Sequence, residues 1–140
     1  MKKFMIGCFV LLSLWTSSIF AETIKVVYHI INQAPAHAAV VLGNIQYHLN
    51  ADPTTKVVVV THGPGIEFLM RDATNDKGVK FSSIVGNLKN QGVDFYVCNN
   101  TLEYRKLSQD RLIDGVKFVP SGVSEIARLQ AQEGYVYLKP

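Results

Sequence analysis

Cys98 is the residue of this chain best placed to act as a nucleophile. It follows the apolar run at 93–97 and precedes Asn99, a pattern that predicts a thiol at the carboxyl end of a strand and just before a helix. Unpaired backbone N–H groups and the positive end of a helix dipole favour the thiolate, which is the nucleophilic form of cysteine. The alternative is a packed and unreactive side chain, since free cysteine is among the most buried residue types.

Other polar residues and glycines are predicted to share one edge of a sheet with this thiol. Ligands of open α/β sheets bind outside the carboxyl ends of the strands, because loops and helix N-termini converge there. The candidate binding residues at this edge are His62, Gly63, Gly65, Asn99, Asn100, Thr101, Ser121 and Gly122. Gly63 and Gly65 leave room for a small anion to approach backbone amides. The alternative is that this turn needs its glycines for steric reasons alone.

His62 is the histidine that the sequence predicts at the same edge as Cys98. An imidazole there would lower the pKa of the thiol or move a proton. The alternative is a hydrogen-bonded histidine with a structural role. His29 is predicted inside a strand, and His37 and His48 on the first helix. Because none of them is spaced with a second ligand in a metal-binding pattern, we predict neither a metal site nor a cofactor.

The motifs of two common hydrolase classes are missing from the sequence. There is no Gly-x-Ser-x-Gly elbow, and the sequence identifies no base partner for Ser121. The local signatures of cysteine proteases are also missing, and a papain-like catalytic domain is longer than this chain. Serine-hydrolase and cysteine-protease chemistry are therefore excluded.

Three local interactions are predicted from residue spacing. Asn100 and Glu103 match a variant capping box, in which the asparagine side chain accepts hydrogen bonds from free N–H groups at a helix start. Ser121 is expected to cap the next helix. Glu67 and Arg71, four residues apart on a short predicted helix, are oriented as a favourable surface ion pair. Alternatively, Arg71 could attract an acidic substrate.

The first 21 residues resemble a secretory signal peptide. Lys2 and Lys3 precede an apolar stretch at 4–15, and cleavage is predicted after Ala21. The alternative is an uncleaved anchor, but the apolar stretch is shorter than the roughly 20 residues needed to cross a bilayer. Cys8 lies before most of the apolar stretch, whereas a lipidated cysteine follows it, so a lipoprotein is excluded. We therefore expect export, to the periplasm, with no membrane contact after cleavage.

Removal of the leader leaves 119 residues at 22–140, a length that fits a single domain with one core. The whole chain has 14 basic and 11 acidic residues, and loss of Lys2 and Lys3 leaves 12 against 11. This near-neutral balance, without a cluster of five or more basic residues, argues against a nucleic-acid partner. One cysteine remains, so no disulfide can form within the chain and stability must come from packing.

Short β-rich segments alternate with longer amphipathic segments, which predicts an α/β sandwich with a mainly parallel sheet. Four consecutive valines at 57–60 are typical of a strand covered on both faces, and therefore of a central strand. The predicted strands lie at 24–31, 56–60, 93–97, 116–119 and 135–138. The predicted helices lie at 35–49, 66–71 and 79–90, with two more that begin near 100 and 121.

Several short motifs, taken in order, resemble the DsrE/DsrF-like family, also described as YchN-like, over nearly all of 24–140. They are Val-Val-Tyr-His at 26–29, Leu-Gly-Asn-Ile at 42–45, His-Gly-Pro-Gly at 62–65, Leu-Met-Arg-Asp at 69–72, Gly-Val-Asp-Phe-Tyr-Val-Cys-Asn-Asn-Thr-Leu at 92–102, Pro-Ser-Gly-Val-Ser-Glu at 120–125 and Gly-Tyr-Val-Tyr-Leu-Lys-Pro at 134–140. The resemblance implies a three-layer α/β/α sandwich with a five-stranded sheet, assembled into homotrimers or homohexamers. It also implies that a cysteine at the position of Cys98 accepts sulfur as a persulfide and hands it to a partner protein.

Three functions are compatible with these observations. The first is a periplasmic sulfur carrier or sulfurtransferase, with a persulfide on Cys98 and stabilisation of the anion by Asn99, Asn100 and nearby amides. It would need a donor or acceptor protein or a small thiol, because one cysteine provides no resolving thiol. The second is a non-enzymatic oligomeric protein that binds a small anion or metabolite and in which Cys98 is structural. The third is a structural subunit with an intersubunit Cys98 disulfide.

Overall fold

The sheet of this protein has five strands, all parallel to their neighbours. In the computed structural model, which describes residues 22–140, they are β1 (Lys25–Ile30), β2 (Lys56–Thr61), β3 (Asp94–Cys98), β4 (Lys117–Val119) and β5 (Val136–Leu138). Their order across the sheet is β4-β3-β2-β1-β5. The predicted leader at 1–21 lies outside the described residues.

Helices cover both faces of the sheet. They are α1 (Pro35–Ala51), α2 (Phe81–Asn90), α3 (Asn99–Arg105) and α4 (Gly122–Glu133), with 3₁₀ helices at Gly63–Leu69 and Gln109–Arg111. The first two pack in one apolar cluster with one face of the sheet, and α4 packs in a second cluster on the other face. This architecture confirms the predicted three-layer α/β/α sandwich. Within 22–140, no helix combines the length and the apolarity needed to cross a membrane.

The valine-rich strand β2 lies at the centre of the sheet, as predicted. Val57 and Val59 belong to the cluster that contains α1 and α2, whereas Val58 and Val60 pack with α4. Side chains of a strand alternate between its two faces, so a run of valines is stable only where both faces are covered.

The same alternation brings Cys98 and His62 together on the α4 face of the sheet. Tyr96 of β3 packs with the α4 cluster, and Cys98, two residues later, points to the same side. Thr61 of β2 lies opposite Val97 of β3 in the parallel register. His62 follows Thr61 and Cys98 follows Val97, so these two residues are neighbours where the strands end.

Helix α2 begins two residues later than predicted, because a polar turn precedes it. The side-chain oxygen of Asn75 accepts hydrogen bonds from the N–H groups of Lys77 at 3.0 Å and Val79 at 2.9 Å. Such local bonds hold the backbone in a turn. The predicted cap of α4 is confirmed, since Ser121 Oγ accepts from the N–H of Ser124 at 3.3 Å.

The predicted capping box of Asn100 and Glu103 is wrong. Helix α3 begins at Asn99, so Cys98 takes the N-cap position and makes no side-chain capping bond there. Asn100 lies in the first turn, and its N–H donates to the carbonyl oxygen of Pro120 at 3.2 Å. A neighbouring loop therefore satisfies the helix end in place of a capping side chain.

The predicted ion pair between Glu67 and Arg71 is also wrong. The 3₁₀ helix ends at Leu69, before Arg71, and its three residues per turn align position i with i+3 and not with i+4. Glu67 pairs with Arg105 of α3, and Arg71 pairs with Asp114 at 2.6 Å. The Glu67–Arg105 pair thus connects the 3₁₀ helix with the helix that follows the thiol.

Candidate functional site

Cys98 is the last residue of β3 and the N-cap residue of α3. It is a free thiol and is 5% exposed. The sulfur lies 4.0 Å from the carbonyl oxygen of Pro120, to which the S–H group donates. The thiol is therefore shielded from bulk water at the point where strand gives way to helix.

Hydrogen-bond donors surround this sulfur. Burial raises the pKa of the Cys98 thiol, but the N–H of Gly122, the hydroxyl and N–H of Thr101 and the N–H of Asn100 together outweigh burial. The pKa of Cys98 is therefore below its usual value. Donors have this effect because they bond more strongly to the thiolate than to the neutral thiol.

Thr101 links the thiol to the glycine turn that follows β2. Its hydroxyl oxygen accepts a hydrogen bond from the N–H of Gly63 at 2.8 Å. That bond leaves the hydroxyl proton for the sulfur of Cys98. Gly63 has a φ of 54°, in the left-handed region that favours glycine.

Gly65 is required for close packing rather than for open space around an amide. A Cβ at this position would lie 2.1 Å from the carbonyl oxygen of Ile30 at the end of β1. The N–H of Gly65 donates to the carbonyl oxygen of His62 at 3.1 Å. Since the amides of Gly63 and Gly65 are both bonded within the protein, anion binding by this turn stays a prediction.

Gly122 lets the start of α4 approach both candidate chemical groups. A Cβ on Gly122 would lie 3.3 Å from Cβ of His62 and 3.4 Å from Cβ of Cys98. The N–H of Gly122 reaches the sulfur at the same time. The structure thus brings together Cys98, His62 and Gly122 from three separate elements.

An open cleft of about 430 Å³ is lined by residues that flank Cys98, although Cys98 itself is not part of its wall. Asn100 and Thr101, which follow Cys98 in the first turn of α3, form part of its wall. Its lining residues are Gln33, His62, Gly63, Pro64, Glu67, Asn100, Thr101, Tyr104 and Arg105. Tyr104 is 91% exposed, so the cleft has an aromatic side chain available at its rim.

Two of the sequence-predicted binding residues have other contacts. The side-chain oxygen of Asn99 accepts from Gln109 Nε2 at 3.1 Å, and Asn99 is not part of the cleft wall. The Ser121 hydroxyl is used to cap α4. A ligand-binding role for Asn99 and Ser121 stays a prediction.

No sequence pattern identified His29 or Tyr137 as a site residue. His29 Nε2 lies 2.8 Å from Nε2 of His62, and His29 Nδ1 lies 2.7 Å from the hydroxyl of Tyr137. The signal was the alternation of β1, which places His29 on the same face as Val27. This alternation identifies the partners of His29 only when β2 and β5 are known to flank β1.

Both paired histidines favour the neutral form. Burial lowers the pKa of His29 to about 4, with smaller contributions from the positive charges of His62 and Lys139. Burial also lowers the pKa of His62, and Lys139 adds to the effect. At neutral pH the two rings can therefore share a hydrogen bond without a charge.

We predict that the free energy of unfolding falls as the pH decreases from about 6.5 to about 4. In this range the unfolded chain binds a proton at His29 that the folded chain excludes, so acid favours unfolding. Allowing for partial exposure, we expect a loss of about 1–2 kcal/mol. Urea unfolding at several pH values measures it. The His29→Gln variant should lose this part of the pH dependence, and an unchanged slope would contradict the assignment.

The fold and the site define a class of protein: a small parallel α/β domain with a shielded thiol at a strand end, surrounded by neutral donors. The DsrE/DsrF-like family matches residues 25–140, and the chain belongs to that family. No curated protein matches the chain.

Two solved structures are similar to this protein. One is a protein of unknown function, MTH1491 from Methanobacterium thermoautotrophicum, with 32% sequence identity and a TM-score of 0.75. The match covers 84% of this chain and 99% of that one. The other is the YchN protein of E. coli, with 16% identity, a TM-score of 0.66 and coverage of 84% and 100%. At that identity the second likeness shows the fold alone.

Proposed function

We propose that this protein is an exported sulfur carrier that holds sulfur as a persulfide on Cys98. The observation that carries the proposal is the position of the thiol at the N-cap of α3, where the donor groups of Gly122, Thr101 and Asn100 lower its pKa. They favour a thiolate, which is the form that attacks sulfur. Membership of the DsrE/DsrF-like family supports sulfur relay as the class of function.

The proposed reaction is a transfer of one sulfur atom. The Cys98 thiolate attacks the outer sulfur of a persulfide R–S–SH, the S–S bond of the donor breaks, and RS⁻ leaves. The product is a Cys98 persulfide, whose outer sulfur a second thiolate can remove in the same way. The cleft formed in part by Asn100 and Thr101 is where donor and acceptor would enter.

The carrier would act as a homotrimer or homohexamer in the periplasm after cleavage of residues 1–21. Its partners would be a sulfur-donating or sulfur-accepting protein or a small thiol. The exposed Tyr104 beside the cleft supports a docking partner, because aromatic residues are enriched where interfaces bind most strongly.

We predict that incubation with polysulfide adds the mass of one sulfur atom to the Cys98 peptide, and that a reductant removes it. The Cys98→Ser variant is the matched control and should take up none at this position. The measurement is mass spectrometry of the protein and of its peptides. Absence of uptake by the native protein, or equal uptake by Cys98→Ser, would refute the carrier function.

The low exposure of Cys98 favours a second candidate, a non-enzymatic protein that binds a small anion or metabolite. In that case the cleft would bind the ligand and the thiol would be a packing residue. Thiol labelling separates the two functions. Prompt labelling of the folded protein at mildly acidic pH supports the carrier, whereas labelling only after denaturation supports the structural thiol.

A further inference from the structure

His62, His29 and Tyr137 form a hydrogen-bonded chain at the edge of the sheet. The two Nε2 atoms are 2.8 Å apart, and His29 Nδ1 is 2.7 Å from the Tyr137 hydroxyl. Strand β5 pairs in parallel with β1, and Tyr137 lies opposite Val27. His29, two residues after Val27, is on the same face of the sheet, which brings it to Tyr137. Nδ1 of His62 takes part in neither contact, so it is one end of the chain, and the Tyr137 hydroxyl is the other.

This hydrogen-bonded chain joins the cleft to a second groove on the surface. His62 lines the cleft together with Thr101, and its Cβ and that of Cys98 both lie against Gly122. His29 and Tyr137 line a groove of about 310 Å³ between the sheet and α4, with Val123 and Ile126 on its helical wall. A proton that enters at His62 therefore has a hydrogen-bonded route to a second opening.

Only two proton arrangements satisfy both contacts when the rings are neutral. In the first, Tyr137 donates to His29 Nδ1, His29 Nε2–H donates to His62 Nε2, and the His62 proton is on Nδ1. In the second, His62 Nε2–H donates to His29 Nε2 and His29 Nδ1–H donates to Tyr137. Nδ1 of His62 is then a free acceptor. The two rings must change tautomer together, because otherwise two N–H groups or two lone pairs would face each other.

The surroundings of His29 and His62 favour transfer of a proton between the rings over a lasting positive charge on either one. Lys139, beyond β5, opposes a positive charge on either ring. Tyr137 of β5 contacts His29, and Cys98 of β3 lies near His62 across Gly122. Within 22–140, no cluster of three or more His, Cys, Asp or Glu side chains is suited to a metal ion. We therefore interpret the pair as a proton-transfer unit and not as part of a metal centre.

We propose that His62 takes the proton of the Cys98 thiol and later gives a proton to the leaving thiolate of the donor. His29 and Tyr137 are positioning residues that set which ring nitrogen of His62 carries the proton. This inference rests on the proposed carrier function. In the second arrangement, Nδ1 of His62 takes the thiol proton and the Nε2 proton of His62 moves to His29. The Nδ1 proton of His29 moves to Tyr137, and the hydroxyl proton of Tyr137 passes to water.

These proton transfers reverse when the thiolate RS⁻ leaves. The thiolate of Cys98 attacks R–S–SH and expels RS⁻, as described above. His62 Nδ1–H protonates RS⁻, each proton moves back along the chain, and water restores the hydroxyl of Tyr137. The balance is one Cys98 thiol and one R–S–SH giving one Cys98 persulfide and one RSH. No external oxidant or reductant is needed.

The test is the single-turnover rate of sulfur transfer from glutathione persulfide to the whole protein. We expect His62→Gln to lower the rate about 100-fold, in the range of general acid–base catalysis, and His29→Gln and Tyr137→Phe to lower it about tenfold. The loss of rate in His62→Gln should be larger for persulfide donors whose leaving thiol is more basic. Tyr28→Phe is the matched control, because it breaks another tyrosine–histidine contact, with His48 at 2.9 Å, and should leave the rate within twofold.

A spectroscopic measurement separates positioning from a merely structural role. The ¹⁵N shifts of the ring nitrogens report the tautomers, and Tyr137→Phe should change the tautomer of His62 while Tyr28→Phe does not. Native rates and an unchanged His62 tautomer in Tyr137→Phe would overturn this inference and leave the carrier function standing. Absence of sulfur uptake by the native protein would overturn both.

Discussion

Replacing Gly65 with alanine is expected to lower the free energy of unfolding by about 3 kcal/mol or more, enough to leave little folded protein. The added Cβ would lie 2.1 Å from the carbonyl oxygen of Ile30 and 2.6 Å from Cα of Ile31. Both atoms belong to the backbone at the end of β1, which cannot move aside as a side chain can. The measurement is urea unfolding followed by circular dichroism.

Gly43→Ala is the matched control for this prediction. Gly43 lies within α1, and a Cβ there would meet no side chain and no atom of another element within 4 Å. Because alanine is a better helix former than glycine, this variant should be more stable by roughly 0.5–1 kcal/mol. A Gly65→Ala variant as stable as the native protein would show that the turn and β1 are not packed as described.

Thr101→Val should lower the rate at which iodoacetamide labels Cys98 about tenfold or more at pH values below the thiol pKa. Valine has nearly the same shape but removes the hydroxyl that lowers the pKa of Cys98. A hydrogen bond to a charged group contributes about 1.5–3 kcal/mol, and 1.4 kcal/mol is a factor of ten in the thiolate fraction. The rate, measured against pH on the Cys98 peptide, should therefore rise at higher pH than in the native protein.

Thr101→Ser retains the hydroxyl and is the control. It should keep the native pH profile, because serine can still accept from Gly63 N–H and donate to the sulfur. Thr101→Val also leaves the Gly63 N–H without its partner, at a cost of about 1–3 kcal/mol in stability. Identical labelling profiles for Thr101→Val and Thr101→Ser would mean that the hydroxyl does not stabilise the thiolate.

Some features of the site were predictable because they depend on short segments. The apolar run before Cys98 and the polar residues after it correctly placed the thiol between a strand and a helix. The cap by Ser121 was predictable for the same reason. The partners of Glu67 and Arg71 were not, because each lies on an element distant in the sequence.

The sequence by itself determined the parallel α/β architecture, the central position of β2 and the strand-end position of Cys98. Hydrophobic periodicity carries these features, since each strand or helix shows in its own residues how many of its faces are buried. Only the tertiary structure decided that β5 lies beside β1, which brings Tyr137 to His29, and that Gly122 lies against both His62 and Cys98. Strand order and the approach of α4 result from packing between residues far apart in the chain, for which no local pattern is a signal.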